Sequence, residues 1–376
     1  MSLPRIDSLS GPDLLDGAAL HPPPRRVIAA MSGGVDSSVA AALLVEAGYD
    51  VVGVSMRICA GQAGTRWSGT CCGLHDLRDA AGVARRLGFP HRVLDLNQRF
   101  EQAVVADFVA EYAKGRTPLP CAHCNAELKF AALVDESAGL GASCVATGHY
   151  ARLTRDEAGV FRLWRGADAQ KDQSYFLFGL TQAQLARVMF PVGGMTKADV
   201  RKAAEARGLE VAEKPDSQEI CFVPDGDYAE VVERYLPADR SGAITHVDGR
   251  TIGRHDGVHR FTVGQRRGLG VATGEPLFVV HLDAARRLVT VGPREALERA
   301  TLTASRVNWT AGAPPEPVIH ADVQIRSRHA AAPARVEVTG PGRVRVEFSV
   351  PQLAITPGQA AVFFSDGEVL GGGWID

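Results

Sequence analysis

At 376 residues the chain is long enough for two or three domains with hydrophobic cores of their own. With 45% apolar and 22% charged residues and a formal net charge of −2, it does not have a disordered composition, and its overall field does not attract nucleic acid. Any RNA contact has to come from local basic patches.

No apolar run approaches the ~18 residues of a membrane span. Residues 1–25 lack the basic start and hydrophobic centre of a secretory signal and carry Pro22 to Pro24, so they read as a flexible N-terminal extension. A cytoplasmic chain without membrane association follows. Its seven cysteines are then expected to be reduced, and short cysteine spacings point to catalysis or metal binding.

Taken in order, Val27 to Met31 is a short apolar strand, followed by a Gly-rich turn and an Ala-rich helix from Ser37 to Ala47. Val51 to Met56 reads as a buried strand, Asp76 to Leu87 as a helix and Arg92 to Leu96 as a strand. Two helical stretches come next, Phe100 to Ala113 and Glu127 to Gly139, and Cys144 to Thr147 is again strand-like. Strands alternating with helices predict a parallel sheet covered on both faces, with ligands beyond the carboxyl ends of its strands. From about residue 215 the chain is Gly-rich with few long helices. From about 290 short strands dominate, with hairpin signals at Gly340-Pro341-Gly342 and Ser365-Asp366-Gly367. The expected fold class is therefore α/β with three parts. Residues 26–215 form a parallel-sheet nucleotide domain, 216–288 a small central domain, and 289–376 a C-terminal β-barrel.

Ser32-Gly33-Gly34-Val35-Asp36-Ser37-Ser38 joins the first strand to the first helix. Its glycines let backbone approach a ligand, and the helix start offers amides and a positive dipole end suited to phosphate. It is neither a Walker loop nor a dinucleotide fingerprint. It resembles the SGGxDS loop of the PP-loop ATP pyrophosphatases, in which the loop holds the pyrophosphate of ATP while a substrate oxygen attacks the α-phosphorus. That resemblance implies ATP, with Mg²⁺ helping the pyrophosphate to leave.

Among the cysteines, Cys121-Ala122-His123-Cys124 precedes Asn125, which reads as a helix N-cap and would favour a Cys124 thiolate. Cys221 follows Asp216, Ser217 and Gln218 in a polar stretch that reads as a mobile substrate loop. Cys144 reads as core; Cys59 and the adjacent Cys71 and Cys72 have no assigned role.

SGGVDSS, GRTPxPxxxCN, ATGHY, KDQSYFL, FPVG, DSQEICF, GQRRGLG and TPGQ occur in this order from about residue 26 to the C-terminus. Together they resemble the bacterial tRNA-specific 2-thiouridylases (the MnmA family). The resemblance implies ATP-dependent 2-thiolation of the wobble uridine of tRNAs for Lys, Glu and Gln. It places ATP on Ala30, Met31, Ser32, Gly33, Gly34, Val35, Asp36, Ser37, Met56 and Gly148. It makes Cys221 the persulfide carrier, loaded by a sulfur carrier protein or a cysteine desulfurase, and Cys124 the second catalytic cysteine. Two routes stay open for Cys124: attack on the Cys221 persulfide to release hydrogen sulfide, or resolution as a Cys124–Cys221 disulfide while sulfur attacks the base directly. For tRNA the matching positions are His149, Lys171, Asp172, Gln173, Arg326, Ser327 and Gln359.

One departure stands out. Many relatives read PNPDxxCN, whereas here Leu119 and Cys121 replace the asparagine and the aspartate. No carboxylate role carries over, and Cys121, Cys124 and Cys221 become candidate ligands of a 4Fe–4S cluster with one open iron. The competing functions are another PP-loop adenylating enzyme, such as a small-molecule synthetase, which needs neither Cys124 nor Cys221, and a tRNA-binding or sulfur-carrier module without catalysis.

Overall fold

The computed structural model describes residues 20–23, 25–58, 73–216, 220–223, 226–237, 239–271 and 274–376. Most of the expected N-terminal extension (residues 1–19), with Cys59, Cys71, Cys72, Ser217 and Gln218, lies outside them.

The chain runs through β1 (Arg26–Ala30), α1 (Val35–Glu46), β2 (Asp50–Arg57), α2 (Leu74–Leu87), β3 (His91–Asp95), α3 (Asn97–Phe100), α4 (Ala106–Ala113), α5 (Pro120–Cys124) and α6 (Phe130–Gly139). Then come β4 (Cys144–Ala146), β5 (Ala151–Arg155), β6 (Phe161–Arg165), α7 (Gln182–Leu185), β7 (Val188–Met189), α8 (Lys197–Ala206) and α9 (Tyr228–Glu233). The remainder is β: β8 (Gly242–His246), β9 (Thr251–His255), β10 (Phe278–Asp283), β11 (Leu288–Gly292), β12 (Glu298–Trp309), β13 (Val318–Gln324), β14 (Ala332–Gly340), β15 (Arg343–Leu353), β16 (Ala360–Ser365) and β17 (Glu368–Ile375). Single π-turns, Glu101–Val105 and Asn125–Lys129, join α3 to α4 and α5 to α6. Among the described residues, no helix is long and apolar enough to cross a membrane.

The first sheet is parallel throughout, in the order β3-β2-β1-β4-β7. Its central strands are apolar along their length because both faces are covered. On one face Val27 and Ala29 pack with Val39 and Leu44 of α1, Ala80 of α2 and Val200 of α8. On the other, Ile28, Val52, Val54 and Val145 pack with Leu133 of α6. The strand order reverses between β1 and β4, and a cleft opens at such a switch point beyond the strand ends. Ser32 to Ser38 and Gly148 both lie there.

The second sheet, β10-β11-β8-β9, encloses a small core of Ile244, Val279, Val289 and Val291. The third runs β12-β15-β14-β13-β16-β17 and closes through a β12–β17 pairing into a six-stranded barrel, which leaves no free edge within that ring. The expected α/β class with a C-terminal barrel is thus the fold observed.

The β5–β6 hairpin was not anticipated. It is near the first sheet in sequence but extends the barrel sheet, pairing Leu163 with Val369 and Trp164 with Glu368. The Arg165 guanidinium stacks 3.6 Å from the Phe364 ring centroid, bonds Asp172 at 2.8 Å and reaches Gln324 Oε1 at 3.1 Å. A second junction involves the chain just ahead of α5. Thr117 N–H donates to Pro357 O at 2.8 Å, and the Gln359 amide donates to Thr117 O at 3.0 Å and Pro118 O at 3.2 Å. A Cβ at Gly358 would lie 2.9 Å from Thr117 O, so the contact requires glycine there. Gln359→Ala is expected to cost about 1–3 kcal/mol by leaving two carbonyls without their donor. Gln359→Glu should cost more, because it sets an acceptor against acceptors; denaturant unfolding of the two variants checks the order.

Candidate functional site

Gly34 is the N-cap of α1, with extended backbone (φ −94°, ψ 166°) and no side chain to cap the helix. The first-turn amides of α1 have no intrahelical acceptor and point toward the loop. The serines brace this loop. Ser37 Oγ accepts from Ser32 N–H at 3.2 Å and donates to Gly34 O at 3.0 Å, and Ser38 Oγ donates to the same carbonyl at 2.9 Å. Gly33 has φ +76°, and a Cβ there would fall 2.3 Å from the Asp76 carbonyl oxygen. At Gly148, beyond β4, a Cβ would fall 2.6 Å from Ser37 N. The two loops therefore touch through bare backbone. Ala30 is half-buried, Met31 and Val35 are buried, and Met56 is half-buried at the end of β2.

The loop carries no lysine, yet Lys197 and Lys214 reach it from elsewhere, and Lys171 joins Lys197 on Asp216. Lys197 Nζ bonds both oxygens of Asp36, at 2.7 and 2.8 Å, and lies 2.7 Å from Asp216. Lys214 Nζ reaches Gly33 O at 2.9 Å and both Asp76 and Asp79 at 2.6 Å. Lys171 Nζ bonds Asp216 at 2.6 Å. Burial works against ionisation of Asp216, but hydrogen bonds from Lys171 and Lys197 hold its carboxyl below the usual carboxylate range. The Tyr150 hydroxyl donates to Asp36 at 2.7 Å; burial, and then the Asp36 charge, push its pKa up. Sequence reasoning missed Tyr150, Lys197 and Lys214. The local signal at Lys197 is only a capping box, Thr196 with Asp199.

The two cysteines expected to work together share one apolar cluster. Cys124 is buried among Phe100, Phe108, Leu128 and Phe222, and half-buried Cys221 packs against the same group. Phe222 meets the rings of Phe100 and Phe108 at centroid distances of 5.4 and 5.0 Å. Two expectations need correction here. Asn125 is not an N-cap: the helix begins at Pro120, whose fixed φ and missing N–H suit a first helical position, and the helical run continues through Asn125. Cys124 is consequently the fifth residue of a helix, away from its positive end. Its thiol is not biased toward thiolate; burial pushes its pKa up, with Lys129 opposing. Next to Cys221, Ile220, Phe222 and Val223 pack in the same cluster. Cys121, one turn before Cys124, is exposed. Cys144 is wholly buried in β4, as expected, and its thiol faces Met189 Sδ at 3.6 Å.

The positions matched to RNA contact are mixed. Ser327 is exposed and Arg326 half-buried, on a turn held by Gln324 Nε2 through both their carbonyls at 3.1 Å. Lys171 is partly exposed at the cleft. Asp172 faces inward, with a side chain 7% exposed, and accepts from Arg165, Gly166 N–H and the Ser174 hydroxyl. Gln173 Oε1 accepts from Tyr150 N–H at 3.0 Å. His149 bonds Thr147 Oγ1 at 2.9 Å and lies beside Phe130 and Phe190; burial, helped by Lys129, pushes its pKa down to about 3, so it is neutral. Gln359 is held by the junction before α5.

Among the described residues, the side chains that gather as a candidate metal group are His75, Asp76 and Asp79. Lys214 already bridges the two aspartates.

Three family models match the chain: a tRNA methyl transferase HUP domain over residues 25–225, a tRNA methyl transferase PRC-barrel domain over 229–293, and an aminomethyltransferase beta-barrel domain over 299–375. Curated relatives include the tRNA-specific 2-thiouridylase MnmA of Geotalea uraniireducens, 50% identical over 94% of this chain and 95% of that protein. Those of Solibacter usitatus and Rhodospirillum centenum are also 50% identical, covering 94% of this chain and 100% and 92% of theirs.

Proposed function

The chain belongs to the tRNA-specific 2-thiouridylase family, and from this premise we propose that it uses ATP to activate a tRNA uridine at its 2-oxygen and then replaces that oxygen with sulfur carried by Cys221. The observation that carries the mechanism is the pairing of Cys124 with Cys221 in one apolar cluster, in a chain that also carries a phosphate-binding helix start at α1.

ATP lies with its β- and γ-phosphates over Ser32 to Ser37 and the α1 N-terminus, and Gly148 leaves room for the backbone approach. Mg²⁺ would supply charge neutralisation for the leaving pyrophosphate, and Asp36, whose oxygens meet Lys197 and Tyr150, is the loop's carboxylate that would hold it. The uridine 2-oxygen attacks the α-phosphorus, pyrophosphate leaves, and the base becomes an adenylate with AMP as its next leaving group. The terminal sulfur of a Cys221 persulfide then attacks C2 and AMP departs. The Cys124 thiolate attacks Cys221 Sγ, the S–S bond to the base breaks with its electron pair passing to the thio-base, and a Cys124–Cys221 disulfide remains. In the sulfide route the same attack comes first and hydrogen sulfide is the nucleophile. Both end in that disulfide, and a dithiol must reduce it by two electrons. The high Cys124 pKa fits a thiol kept unreactive until the cluster around Cys221 opens.

The substrate tRNAs are those for Lys, Glu and Gln, read at the wobble position. Ser327, Arg326 and Lys171 are the accessible contacts, and a sulfur carrier protein or cysteine desulfurase in the cytoplasm loads Cys221. A small-molecule synthetase would leave the pairing of Cys124 with Cys221 without a use.

A 4Fe–4S cluster on Cys121, Cys124 and Cys221 does not suit this arrangement. The Cys124 thiol is buried in aromatic and aliphatic side chains and held in its protonated form, while Cys121 is exposed at the surface. Cys121→Ala is therefore expected to keep thiolation within about twofold of wild type and to leave tRNA-dependent pyrophosphate release unchanged. Loss of thiolation in that variant, with iron present in the wild type, would overturn the persulfide route. Pyrophosphate release that requires both ATP and unmodified tRNA tests the adenylation step; release indifferent to tRNA contradicts it.

A further inference from the structure

We propose that Lys214 is a positioning residue for the nucleotide loop: it holds the Gly33 carbonyl away from the phosphates, so that the Gly34 amide faces them. This deepens the function proposed above and rests on it.

The observation is an ammonium whose donors are all taken by the protein. A lysine has three N–H donors and no acceptor. Lys214 Nζ bonds Gly33 O at 2.9 Å, Asp76 Oδ1 at 2.6 Å and Asp79 Oδ2 at 2.6 Å. These acceptors are themselves fixed. Asp76 is the third residue of α2, and its other oxygen accepts from Gly73 N–H at 3.2 Å. Asp79 Oδ2 also meets His75 Nδ1 at 3.1 Å. The backbone of Lys214 is tethered as well. Its carbonyl accepts from Arg201 of α8 at 3.2 Å, and its N–H donates to Val211 O at 3.1 Å. The side chains of Lys214, Asp76 and Asp79 are 25%, 18% and 21% exposed, so water screens them only in part. Burial opposes the charge on Lys214, but hydrogen bonds to Asp76 and Asp79 raise its pKa, and it stays an ammonium.

Peptide geometry turns this clamp into a binding surface. In a planar trans peptide the carbonyl and the following N–H point in opposite directions. Fixing Gly33 O on Lys214 therefore aims Gly34 N–H to the other side. Gly33 itself, at φ +76°, lies against the start of α2, where a Cβ would fall 2.3 Å from Asp76 O. The next carbonyl, Gly34 O, accepts from the hydroxyls of Ser37 and Ser38 at 3.0 and 2.9 Å. Two successive carbonyls that would repel a phosphate are thus occupied by protein donors, and the amides are left to the anion. One ammonium shared by two carboxylates leaves the cluster with a net negative charge. Its field works against a polyphosphate, so what it contributes to ATP binding is geometry.

The test compares Lys214→Met and Asp79→Ala in calorimetric titration with Mg²⁺ and a non-hydrolysable ATP analogue. It also measures inhibition of tRNA-dependent pyrophosphate release by AMP, which lacks the two phosphates placed over the loop. Lys214→Met is expected to weaken analogue binding about thirtyfold while the AMP inhibition constant stays within about twofold. In turnover the loss should fall on KM for ATP, with kcat within about threefold. Asp79→Ala removes a negative charge from beside the phosphates, yet it should weaken analogue binding about fivefold, because the ammonium loses one of its three anchors. Analogue affinity unchanged in Lys214→Met overturns the proposal, as does an equal loss for AMP or a loss confined to kcat. Binding by Asp79→Ala that is unchanged or tighter also overturns it, since Lys214 would then act through its charge. If Lys214→Met does not fold, the sign of the Asp79→Ala effect decides alone. Failure of the wild type to bind the analogue defeats the function proposed above, whereas wild-type binding shared by both variants defeats only the positioning role.

Discussion

Cys124→Ser and Cys221→Ser are each expected to lower 2-thiouridine formation at least about a thousandfold while leaving tRNA-dependent pyrophosphate release within about threefold of wild type. The split follows from the geometry. The nucleotide loop is built by Ser32 to Ser38, Gly148 and the lysines around them, and the two cysteines sit in a separate cluster made by Phe100, Phe108, Leu128 and Phe222. Serine keeps the volume of each site but has no low-lying thiolate and cannot carry a sulfane sulfur. Because both open routes end in a Cys124–Cys221 disulfide, both cysteines are needed for each. The measurement requires cysteine and a cysteine desulfurase as the sulfur source, since free sulfide would bypass Cys221. Substantial thiolation by Cys221→Ser under those conditions would remove the persulfide from the account.

Gly148→Ala should have the next largest effect, acting on the first half-reaction. Its Cβ would lie 2.6 Å from Ser37 N and 2.8 Å from the Asp36 carbonyl carbon, so the added methyl meets backbone that cannot rotate away. Overpacking of this kind costs about 1–3 kcal/mol, or roughly tenfold to a hundredfold in ATP affinity if the loop gives way. The fold should survive, because Gly148 lies beyond the end of β4 and the flanking sheet core, Val145 and Ala146, is untouched. Calorimetric titration with ATP alongside a thermal melt separates the effects. Unchanged affinity would mean that the nucleotide does not depend on the contact between these loops.

How much of this was legible in the sequence depends on how local each signal is. The parallel sheet was, because β1, β2 and β4 are buried on both faces and so read as unbroken apolar runs. The nucleotide loop was legible because its chemistry is contained in seven consecutive residues. The barrel hairpins were legible from their turn residues. The β5–β6 hairpin was overlooked although Ala151 to Arg155 and Phe161 to Arg165 alternate about a turn at Asp156 to Gly159; its partner strand, β17, comes some two hundred residues later. The setting of Cys124 was misread because Asn125 has the chemistry of a cap, whereas Pro120, five residues earlier, had already started the helix. Lys197 and Lys214 could not be found from sequence. A lysine has no local signature of the carboxylate it meets, and Asp36 and Asp76 lie more than a hundred residues away along the chain.

The most direct test of the central claim incubates the protein with unmodified tRNA for Glu, ATP, Mg²⁺, cysteine and a cysteine desulfurase, and measures 2-thiouridine by nucleoside mass spectrometry. The account predicts 2-thiouridine that depends on ATP and disappears with Cys124→Ser or Cys221→Ser. Absence of 2-thiouridine, when the same protein binds both ATP and the tRNA, would contradict it.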